Sequence, residues 1–252
     1  MYLTIRGLVL RVTNYNDADA LLTVLTHTHG KLTIKARGLR RKNSPLAAPC
    51  QLLAYDEFVL FENKGFYTIN EAHCIDLFPG LQRDICKLSL CTYFAQVAEV
   101  LSQEDIPNPE LISLLLNCLY AVAKLDVLEK KVKAVFELRS ACISGYTPDL
   151  SGCRVCGKAA PDYFDISGGR LECSACRNYA EGGIRMPVNP GALHAMHYIC
   201  NCDSKKLFLF QIGEDSLNLL SNIAESYLVT QLERGFPTLD FYKTLTLGDS
   251  YV

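Results

Sequence analysis

Two Cys-x-x-Cys pairs restrict the fold of this chain more than any other part of its sequence. The first pair is Cys153 and Cys156, and the second pair, Cys173 and Cys176, follows after sixteen residues. Each pair directs two sulfur atoms toward one point, and this spacing is typical of zinc sites with four thiolate ligands. We predict one Zn2+ per chain, bound by these four cysteines. The alternative is that they are redox dithiols or unpaired thiols.

The segment around the four cysteines, residues 151–187, is poor in aliphatic residues and rich in glycine. Such a stretch cannot build a hydrophobic core unaided, so a bound metal would contribute folding energy to it. Four thiolates leave no open coordination position for water, which predicts a structural and not a catalytic site. The other cysteines are interpreted as small buried apolar groups. For Cys200 and Cys202, metal binding is an alternative interpretation, because a Cys-x-Cys pair can also ligate metal.

The first 77 residues are rich in Thr, Val, Ile and aromatic residues and are divided by turn residues. This pattern predicts five β-strands. Gly30 and Gly65 can take the positive φ of tight hairpins, one between the second and third strands and one between the fourth and fifth. The predicted strands cover residues 3–13, 20–28, 32–38, 52–62 and 66–77. Five strands in a meander can close into a small barrel.

Helical spacing of apolar residues begins after residue 81. It predicts helices over residues 88–101, 111–123, 127–142, 190–200 and 215–232. The predicted fold class is therefore α+β. A five-stranded barrel in residues 1–80 is followed by an α-helical body in residues 81–252, which carries the zinc-binding insertion at residues 151–187.

Basic residues are concentrated near the N-terminus, although the net charge of the whole chain is -2. Residues 1–45 contain eight Lys and Arg residues against two Asp residues. In the third strand, basic and apolar residues alternate, so one face is basic while the other packs into the barrel. A charge run is often only a solvated surface, but five-stranded barrels commonly bind nucleic-acid strands with basic grooves and exposed aromatics. We predict DNA binding by Lys31, Lys35, Arg37, Arg40, Arg41 and Lys42, with Tyr15, Tyr55 and Tyr67 as candidate stacking partners.

No motif of a known catalytic site is present, so we predict that the protein is not an enzyme. His194 and His197 are interpreted as surface or packing residues, because no carboxylate partner for a metal site accompanies them. Arg6 and Arg11 interrupt the N-terminal apolar run, which excludes a secretory signal there. No window reaches the roughly 18 apolar residues of a membrane span. We therefore expect a cytoplasmic protein without a membrane partner.

Several short stretches carry a family resemblance. They are GLVLRV from Gly7, DADALLTV from Asp17, the basic ARGLRR from Ala36, LFLF from Leu207, AESYL from Ala224 and GFPTLDF from Gly235. Together with the order of barrel, helical body and embedded four-cysteine motif, these stretches resemble the RecO family of bacterial DNA repair and recombination proteins. The similarity extends over nearly the whole chain.

The resemblance implies an N-terminal OB fold and a non-enzymatic role as a recombination mediator in the RecFOR pathway. It implies binding to single- and double-stranded DNA, annealing of complementary strands, and contacts with RecR and with the tail of the single-strand-binding protein SSB. It further implies that the protein helps RecA to replace SSB, in the cytoplasm and on the nucleoid. The alternative is a zinc-stabilised adaptor whose barrel binds protein instead of DNA.

The SSB tail implied by the resemblance is an acidic peptide that ends in Phe. Such a peptide needs an apolar pocket beside a cation. The helix predicted from about Val127 places Lys130, Lys131 and Lys133 close to apolar neighbours, so we predict that at least one of them pairs with the peptide carboxylate. The alternative is that these lysines form only the solvated face of a helix.

Overall fold

The computed structural model describes residues 1–159, 161–176 and 183–248. The chain divides into two compact units, and the helical body is split between them. The first unit consists of Met1–Leu125 with Phe236–Val252, and the second consists of Asp126–Gly235. The barrel therefore shares its unit with helices from both ends of the helical body.

The N-terminal strands form the closed five-stranded barrel that the sequence predicts. Strand order around the barrel is β1-β2-β3-β5-β4, and β4 pairs with β1 to close it. All neighbouring strands are antiparallel except β3 and β5, which are parallel. The strands are β1 (Tyr2–Tyr15), β2 (Asp19–Thr26), β3 (Lys31–Ala36), β4 (Tyr55–Asn63) and β5 (Phe66–Asp76).

The barrel core is built from the alternate residues of these strands. Val9, Leu22, Ile34, Phe58 and Leu60 are all fully buried. Side chains of a strand point alternately to its two faces, so each strand contributes every second residue to the core. Burial of these apolar side chains is the main force that closes the barrel.

The two tight hairpins form at the two glycines where the sequence predicts them. Gly30 between β2 and β3 has φ of 65°, and Gly65 between β4 and β5 has φ of 80°. Glycine adopts these left-handed angles without the steric cost that a Cβ atom would bring. The second hairpin carries exposed basic and aromatic side chains, among them Lys64 and Phe66.

In the part of the first unit that the structure describes, four helices accompany the barrel. They are α1 (Pro79–Gln82), α2 (Ile85–Leu101), α3 (Pro109–Lys124) and, from the C-terminal end, α7 (Pro237–Gly248). The Asp84 carboxylate caps α2 by accepting from the backbone N–H groups of Cys86 and Lys87. Helix α7 packs on α2, and the ring of Phe236, the residue just before α7, meets that of Tyr93 edge-on at 5.6 Å.

Within the described residues, the second unit combines three α-helices and a short 3-10 helix (Ser204–Lys206) with a small sheet. The helices are α4 (Glu129–Ile143), α5 (Pro190–Asn201) and α6 (Glu214–Gln231). The sheet has the order β6-β8-β7-β9, from β6 (Asp149–Cys153), β7 (Tyr163–Asp165), β8 (Arg170–Glu172) and β9 (Arg185–Pro187). In the parts of the chain that the structure describes, no helix is both long and apolar enough to cross a membrane.

Candidate nucleic-acid interface and metal centre

Strand β3 has one basic face and one buried face. Leu32, Ile34 and Ala36 are buried in the barrel, whereas Lys31 and Lys35 are half-buried on the outside. The predicted alternation is therefore confirmed, and it follows from the two-residue period of a strand. The outer face of β3 presents cations at a fixed spacing on a rigid element.

A cleft of about 440 Å3 lies on this outer face of the barrel. One wall is formed by β1, β2 and β3, which contribute Tyr15, Leu21 and Lys35 among others, with Arg37 just after β3. The other lining residues come from the β4–β5 hairpin, whose strand β5 pairs with β3. We call this site the barrel cleft. Its cations are Lys35, Arg37 and Lys64, and its aromatic residues are Tyr15, Phe61, Phe66 and Tyr67.

Three of the four aromatic side chains of the barrel cleft are open to water, whereas Tyr67 is partly buried and packs against the barrel core. The exposed fraction is 79% for Phe66 and 43% for both Phe61 and Tyr15. The ammonium of Lys35 lies 4.9 Å from the centre of the Tyr15 ring, within range of a cation–π interaction. Exposed rings grouped with cations in a concave surface offer stacking faces and charge to a ligand at the same place.

An acidic side chain fixes the edge of the barrel cleft. The Lys35 ammonium lies 3.0 Å from the Asp19 carboxylate, which also accepts a 2.8 Å hydrogen bond from the backbone N–H of Gly38. The Gly38 N–H and the Lys35 ammonium lower the pKa of Asp19 below its usual value. This carboxylate therefore stays ionised and holds the start of the loop after β3 in place.

The basic loop after β3 is anchored at one point and exposed beyond it. Arg40 donates from its guanidinium to the carbonyl of Asn16 and from its backbone N–H to the carbonyl of Ala18, both at 3.0 Å. Arg41 and Lys42 follow as exposed residues. None of these three basic residues is among those that line the barrel cleft.

The predicted DNA-binding residues thus separate into three groups. Lys35 and Arg37 line the barrel cleft, and Arg40, Arg41 and Lys42 lie on the loop that continues from Arg37. Lys31 stands apart, because its ammonium donates to the carbonyl of Glu99 in α2 at 3.0 Å.

Sequence analysis missed Lys64, Phe61 and Phe66. Their sequence signal is a Lys at a hairpin tip with Phe residues on both sides. Two of the three tyrosines named as candidate stacking partners, Tyr15 and Tyr67, line the barrel cleft. Tyr55 does not, and its ring instead lies 6.5 Å from that of His27.

The three lysines near the start of α4 have different environments. Lys133 is buried and lies within 2.8 Å of carboxylate oxygens of both Glu137 and Glu225. Burial alone would lower the pKa of Lys133, but the two carboxylates outweigh it and raise the pKa above its usual value. Its charge is therefore committed to internal ion pairs.

Lys131 and Lys130 lie closer to the surface. The Lys131 ammonium donates to the carbonyls of Phe208 and Phe210, and burial lowers the pKa of Lys131. The exposed Lys130 donates to the side-chain oxygen of Asn218 at 2.8 Å.

Lys130 borders a cleft of about 430 Å3 in the second unit. Leu128, Ile212 and Leu217 give this cleft an apolar floor, and the side chain of Leu128 is 69% exposed. We call it the α4–α6 cleft. Two carboxylates, those of Glu129 and Glu214, also line it, so its rim carries both signs of charge. An apolar residue at the end of a ligand would fit its floor.

The four predicted metal ligands come together at one point of the small sheet. The sulfur atoms of Cys153, Cys156, Cys173 and Cys176 all lie within 4.8 Å of one another. Tetrahedral zinc with Zn–S bonds of about 2.3 Å requires sulfur atoms about 3.8 Å apart. The Sγ atoms of Cys156 and Cys173 are 3.7 Å apart, which fits that edge.

Backbone geometry brings the sulfur atoms together. Cys153 ends β6, and the backbone N–H of Cys173 donates to its Sγ at 3.3 Å. Gly157, directly after the first pair, has φ of 72°, the left-handed conformation that lets the backbone turn there. The N–H of Gly157 donates back to the carbonyl of Cys153 at 2.8 Å, which closes the turn.

Two of the four thiols, those of Cys153 and Cys176, have pKa values far from that of an ordinary cysteine. Burial raises the pKa of Cys153, but backbone N–H donors from Cys156, Val155 and Cys173 outweigh it and lower the pKa to about 6. The pKa of Cys176 is raised to about 12 by its sulfur contacts with Cys173 and Cys156. The Cys153 thiolate thus forms readily at neutral pH, while ionisation of Cys176 is opposed by neighbouring sulfur. A divalent cation would remove that opposition.

Comparison with known proteins agrees with this architecture. The family model described as "Recombination protein O N terminal" matches residues 1–78, and "Recombination protein O C terminal" matches residues 82–240. Together these models cover the barrel and nearly all of the helical body. The chain belongs to the RecO family of DNA repair proteins.

Full-length relatives support the same assignment to the RecO family. The "DNA repair protein RecO" of Acetivibrio thermocellus is 33% identical over 246 residues, which is 97% of both chains. That of Heliobacterium modesticaldum is 32% identical, covering 86% of this chain and 81% of its own. That of Alkaliphilus metalliredigens is 27% identical, covering 97% of this chain and all of its own. The RecO-family similarity predicted from the short stretches is therefore confirmed.

Proposed function

We propose that this chain binds DNA in the barrel cleft and serves, without catalysis of its own, as a recombination mediator in DNA repair. The observation that carries the proposal is the joint presence of three cations and four aromatic side chains in one concave surface. Family membership provides the biological setting of repair. The proposed place of action is chromosomal DNA in the cytoplasm.

The position of the barrel cleft supports a nucleic-acid ligand. OB-fold barrels bind oligonucleotides on the face of the second and third strands, between the loop after the first strand and the loop between the fourth and fifth. Here the lining residues come from β2 and β3, from the end of β1 and from the β4–β5 hairpin. The location and the chemistry of the site therefore agree.

In the proposed complex, the cations of the barrel cleft would contact phosphates and its aromatic rings would contact bases. Arg37 and Lys64 would neutralise phosphates, which gives affinity without reading sequence, whereas the charge of Lys35 is already paired with Asp19. Unpaired bases would stack on Phe66 and on its aromatic neighbours, because every base has a π face. Bases inside a duplex are already stacked and paired, so we propose that the barrel cleft prefers single strands.

The basic loop would extend the same interaction. Arg40, Arg41 and Lys42 continue from Arg37 and are exposed to water, so they can reach further phosphates or the second strand of a duplex. This arrangement supports the proposed annealing of complementary strands, because cations that offset the charge of both strands reduce their repulsion. Lys31 is the least suited of the predicted residues, since it neither lines the barrel cleft nor lies on the basic loop, and its ammonium donates to the carbonyl of Glu99 in α2.

A pair of charge-reversal variants tests the proposal. We expect Arg37→Glu with Lys64→Glu to weaken binding of fluorescently labelled single strands of unrelated sequence by similar factors. The matched control is Lys205→Glu with Lys206→Glu, which makes the same charge change at exposed residues of the second unit. Equal losses in both variants, or none in either, would move the DNA site away from the barrel cleft.

We further propose that the chain contacts partner proteins, RecR and the acidic tail of SSB, and through them helps RecA onto DNA. For the SSB tail, the α4–α6 cleft offers an apolar floor beside Lys130. The terminal Phe ring would lie on Leu128, Ile212 and Leu217, and its carboxylate would pair with Lys130. Glu129 and Glu214 at the rim would repel the acidic residues of the tail, so the peptide must leave the cleft on the Lys130 side.

A labelled tail peptide tests this location. We expect wild type to bind it in the micromolar range, roughly -8 kcal/mol, and Lys130→Glu to bind it at least about tenfold more weakly. Lys205→Glu is the matched control. Lys133→Glu is unsuitable, because it would disrupt the buried ion pairs and not only a surface. Equal affinities in wild type and Lys130→Glu would remove the α4–α6 cleft from the proposal.

For the four-cysteine cluster, we propose one structural Zn2+. Four soft thiolate donors at tetrahedral spacing are the ligand set that zinc prefers, and they leave no open position for a substrate. Metal analysis of protein purified without chelator should give one zinc per chain in wild type and in Cys202→Ser. It should give none in Cys153→Ser. Absence of zinc from wild type, or full retention in Cys153→Ser, would contradict the assignment.

A further inference from the structure

Two cysteines outside the four-cysteine cluster lie in contact with each other. Cys142 is in the last turn of α4 and Cys200 is in the last turn of α5, and their Sγ atoms are 3.6 Å apart. Both side chains are half-buried, whereas Cys50, Cys91 and Cys118 are fully buried. The pair therefore differs from the ordinary buried thiols of this chain.

From this geometry we infer that Cys142 and Cys200 form a reversible disulfide under oxidation by a peroxide. A disulfide requires an S–S distance of about 2.05 Å, so the two sulfur atoms need to approach by about 1.6 Å. Both atoms lie near helix ends, where side-chain rotation can supply such a shift without breaking the middle of a helix.

Arg139 supplies a positive charge beside the pair. It lies one turn before Cys142 on α4, and its guanidinium donates to the carbonyls of Ile199 and Cys200 at 3.1 and 2.6 Å. These two hydrogen bonds tie the C-terminal end of α5 to α4 and keep the sulfur atoms together. The same positive charge favours a thiolate over a thiol at this place.

The contact gives the two sulfur atoms different roles. The interaction with Cys200, together with the Thr147 hydroxyl and Arg139, lowers the pKa of Cys142 despite its burial. The interaction with Cys142, burial and the nearby Cys202 raise the pKa of Cys200. Cys142 is therefore the nucleophile that meets the oxidant, and Cys200 is the thiol that resolves the product.

The chemistry balances with hydrogen peroxide as the oxidant. The Cys142 thiolate attacks one peroxide oxygen, the O–O bond breaks, and a sulfenic acid and hydroxide form. The Cys200 sulfur then attacks the sulfenic sulfur, the S–S bond forms, the S–O bond breaks and water leaves with the Cys200 proton. Two thiols and one peroxide give one disulfide and two waters, so sulfur loses two electrons and peroxide gains them.

The position of the proposed disulfide determines which part of the structure it would constrain. Cys142 and Cys200 are 58 positions apart, and all four cysteines of the cluster lie between them. The disulfide would therefore join the two helices from which the small sheet extends, α4 before it and α5 after it. Such a closure limits how far the enclosed segment can open when conditions become oxidising.

Mapping of the oxidised full-length protein tests the inference. Wild type is treated with hydrogen peroxide, its remaining thiols are alkylated, and its peptides are sequenced by mass spectrometry. We expect a cross-link between Cys142 and Cys200, reversed by dithiothreitol. On unfolding, the free thiol count should fall from the 12 cysteines of the sequence by two.

Serine variants separate this pair from its neighbours. Cys202→Ser should keep the cross-link, while Cys200→Ser and Cys142→Ser should lose it, with zinc content measured in parallel. A cross-link of Cys200 with Cys202, a cross-link within the four-cysteine cluster alone, or irreversible oxidation of Cys142 in wild type would each overturn the inference. The wild-type map needs no variant, so the test holds even where a substitution impairs folding.

Discussion

Phe66 is the residue at which the proposed DNA binding can be measured separately from stability most cleanly. Its side chain is 79% exposed, so truncation removes little buried surface. We expect Phe66→Ala to change the free energy of unfolding by less than about 0.5 kcal/mol, as at other exposed sites. The fully buried Phe58 provides the contrast, since loss of a core Phe costs about 3–5 kcal/mol.

The same truncation should be costly for single-stranded DNA. Removal of an aromatic ring that stacks on a base costs about 1–3 kcal/mol. With about 1.4 kcal/mol for each factor of ten, the dissociation constant should rise between about 5-fold and about 140-fold. Duplex DNA has no free base for the ring, so its affinity should change by less than about twofold.

Fluorescence anisotropy with a labelled single strand and a labelled duplex measures both effects. Phe241→Ala is the matched control, because Phe241 in α7 is 52% exposed and does not line the barrel cleft. Urea unfolding of each variant reports stability. Equal loss of affinity for single strand and duplex would refute the stacking role, as would unchanged affinity for the single strand.

Three further predictions concern stability. Lys133→Met leaves the buried carboxylate of Glu137 without its ion pair and should lower the free energy of unfolding by about 3–5 kcal/mol; a loss below about 1 kcal/mol contradicts this. Burial raises the pKa of Asp56 from 3.8 to about 7, so the folded state binds its proton more tightly. Wild type should therefore lose stability relative to Asp56→Asn as pH rises from 4 to 7, and a constant difference in urea unfolding at pH 5 and 8 would disprove this. Metal removal by a chelator should lower the unfolding midpoint of wild type, and an unchanged midpoint would argue against structural metal.

The barrel was predictable because its information is local. Alternation of apolar and polar residues gives each strand its buried face, and Gly30 and Gly65 mark the tight hairpins. The four-cysteine cluster was predictable for a similar reason, since metal geometry requires a fixed ligand spacing that the sequence displays directly.

The barrel cleft was only half predictable because it depends on a non-local pairing. Strand β5 runs parallel to β3, with Ile34 opposite Tyr67, and this pairing brings the β4–β5 hairpin beside the basic strand. Pairs more than thirty residues apart leave no periodic signal, so Lys64 and Phe66 were not connected with Lys35 and Arg37. The β3–β5 pairing that closes the barrel brings these two groups of residues into one cleft.

Two other features escaped sequence analysis for different reasons. Strands β7, β8 and β9 have three residues each, too few for an alternating pattern to stand out. Helix α7 begins at Pro237, and its helical spacing was not distinguished from the preceding chain. Its packing against Tyr93 through Phe236 is a tertiary contact that the local sequence does not reveal.

The salt dependence of single-strand binding tests the central claim most directly. Each phosphate that a cation neutralises releases counterions, and Lys35 is already paired with Asp19, so Arg37 and Lys64 predict a slope of about -1.4 for log affinity against log salt concentration. Substitution of Arg37 and Lys64 by alanine should make that slope shallower by about 0.7 for each phosphate that is no longer neutralised. A slope near zero in wild type, or an unchanged slope in a folded double variant, would contradict DNA binding in the barrel cleft and favour a barrel that binds protein.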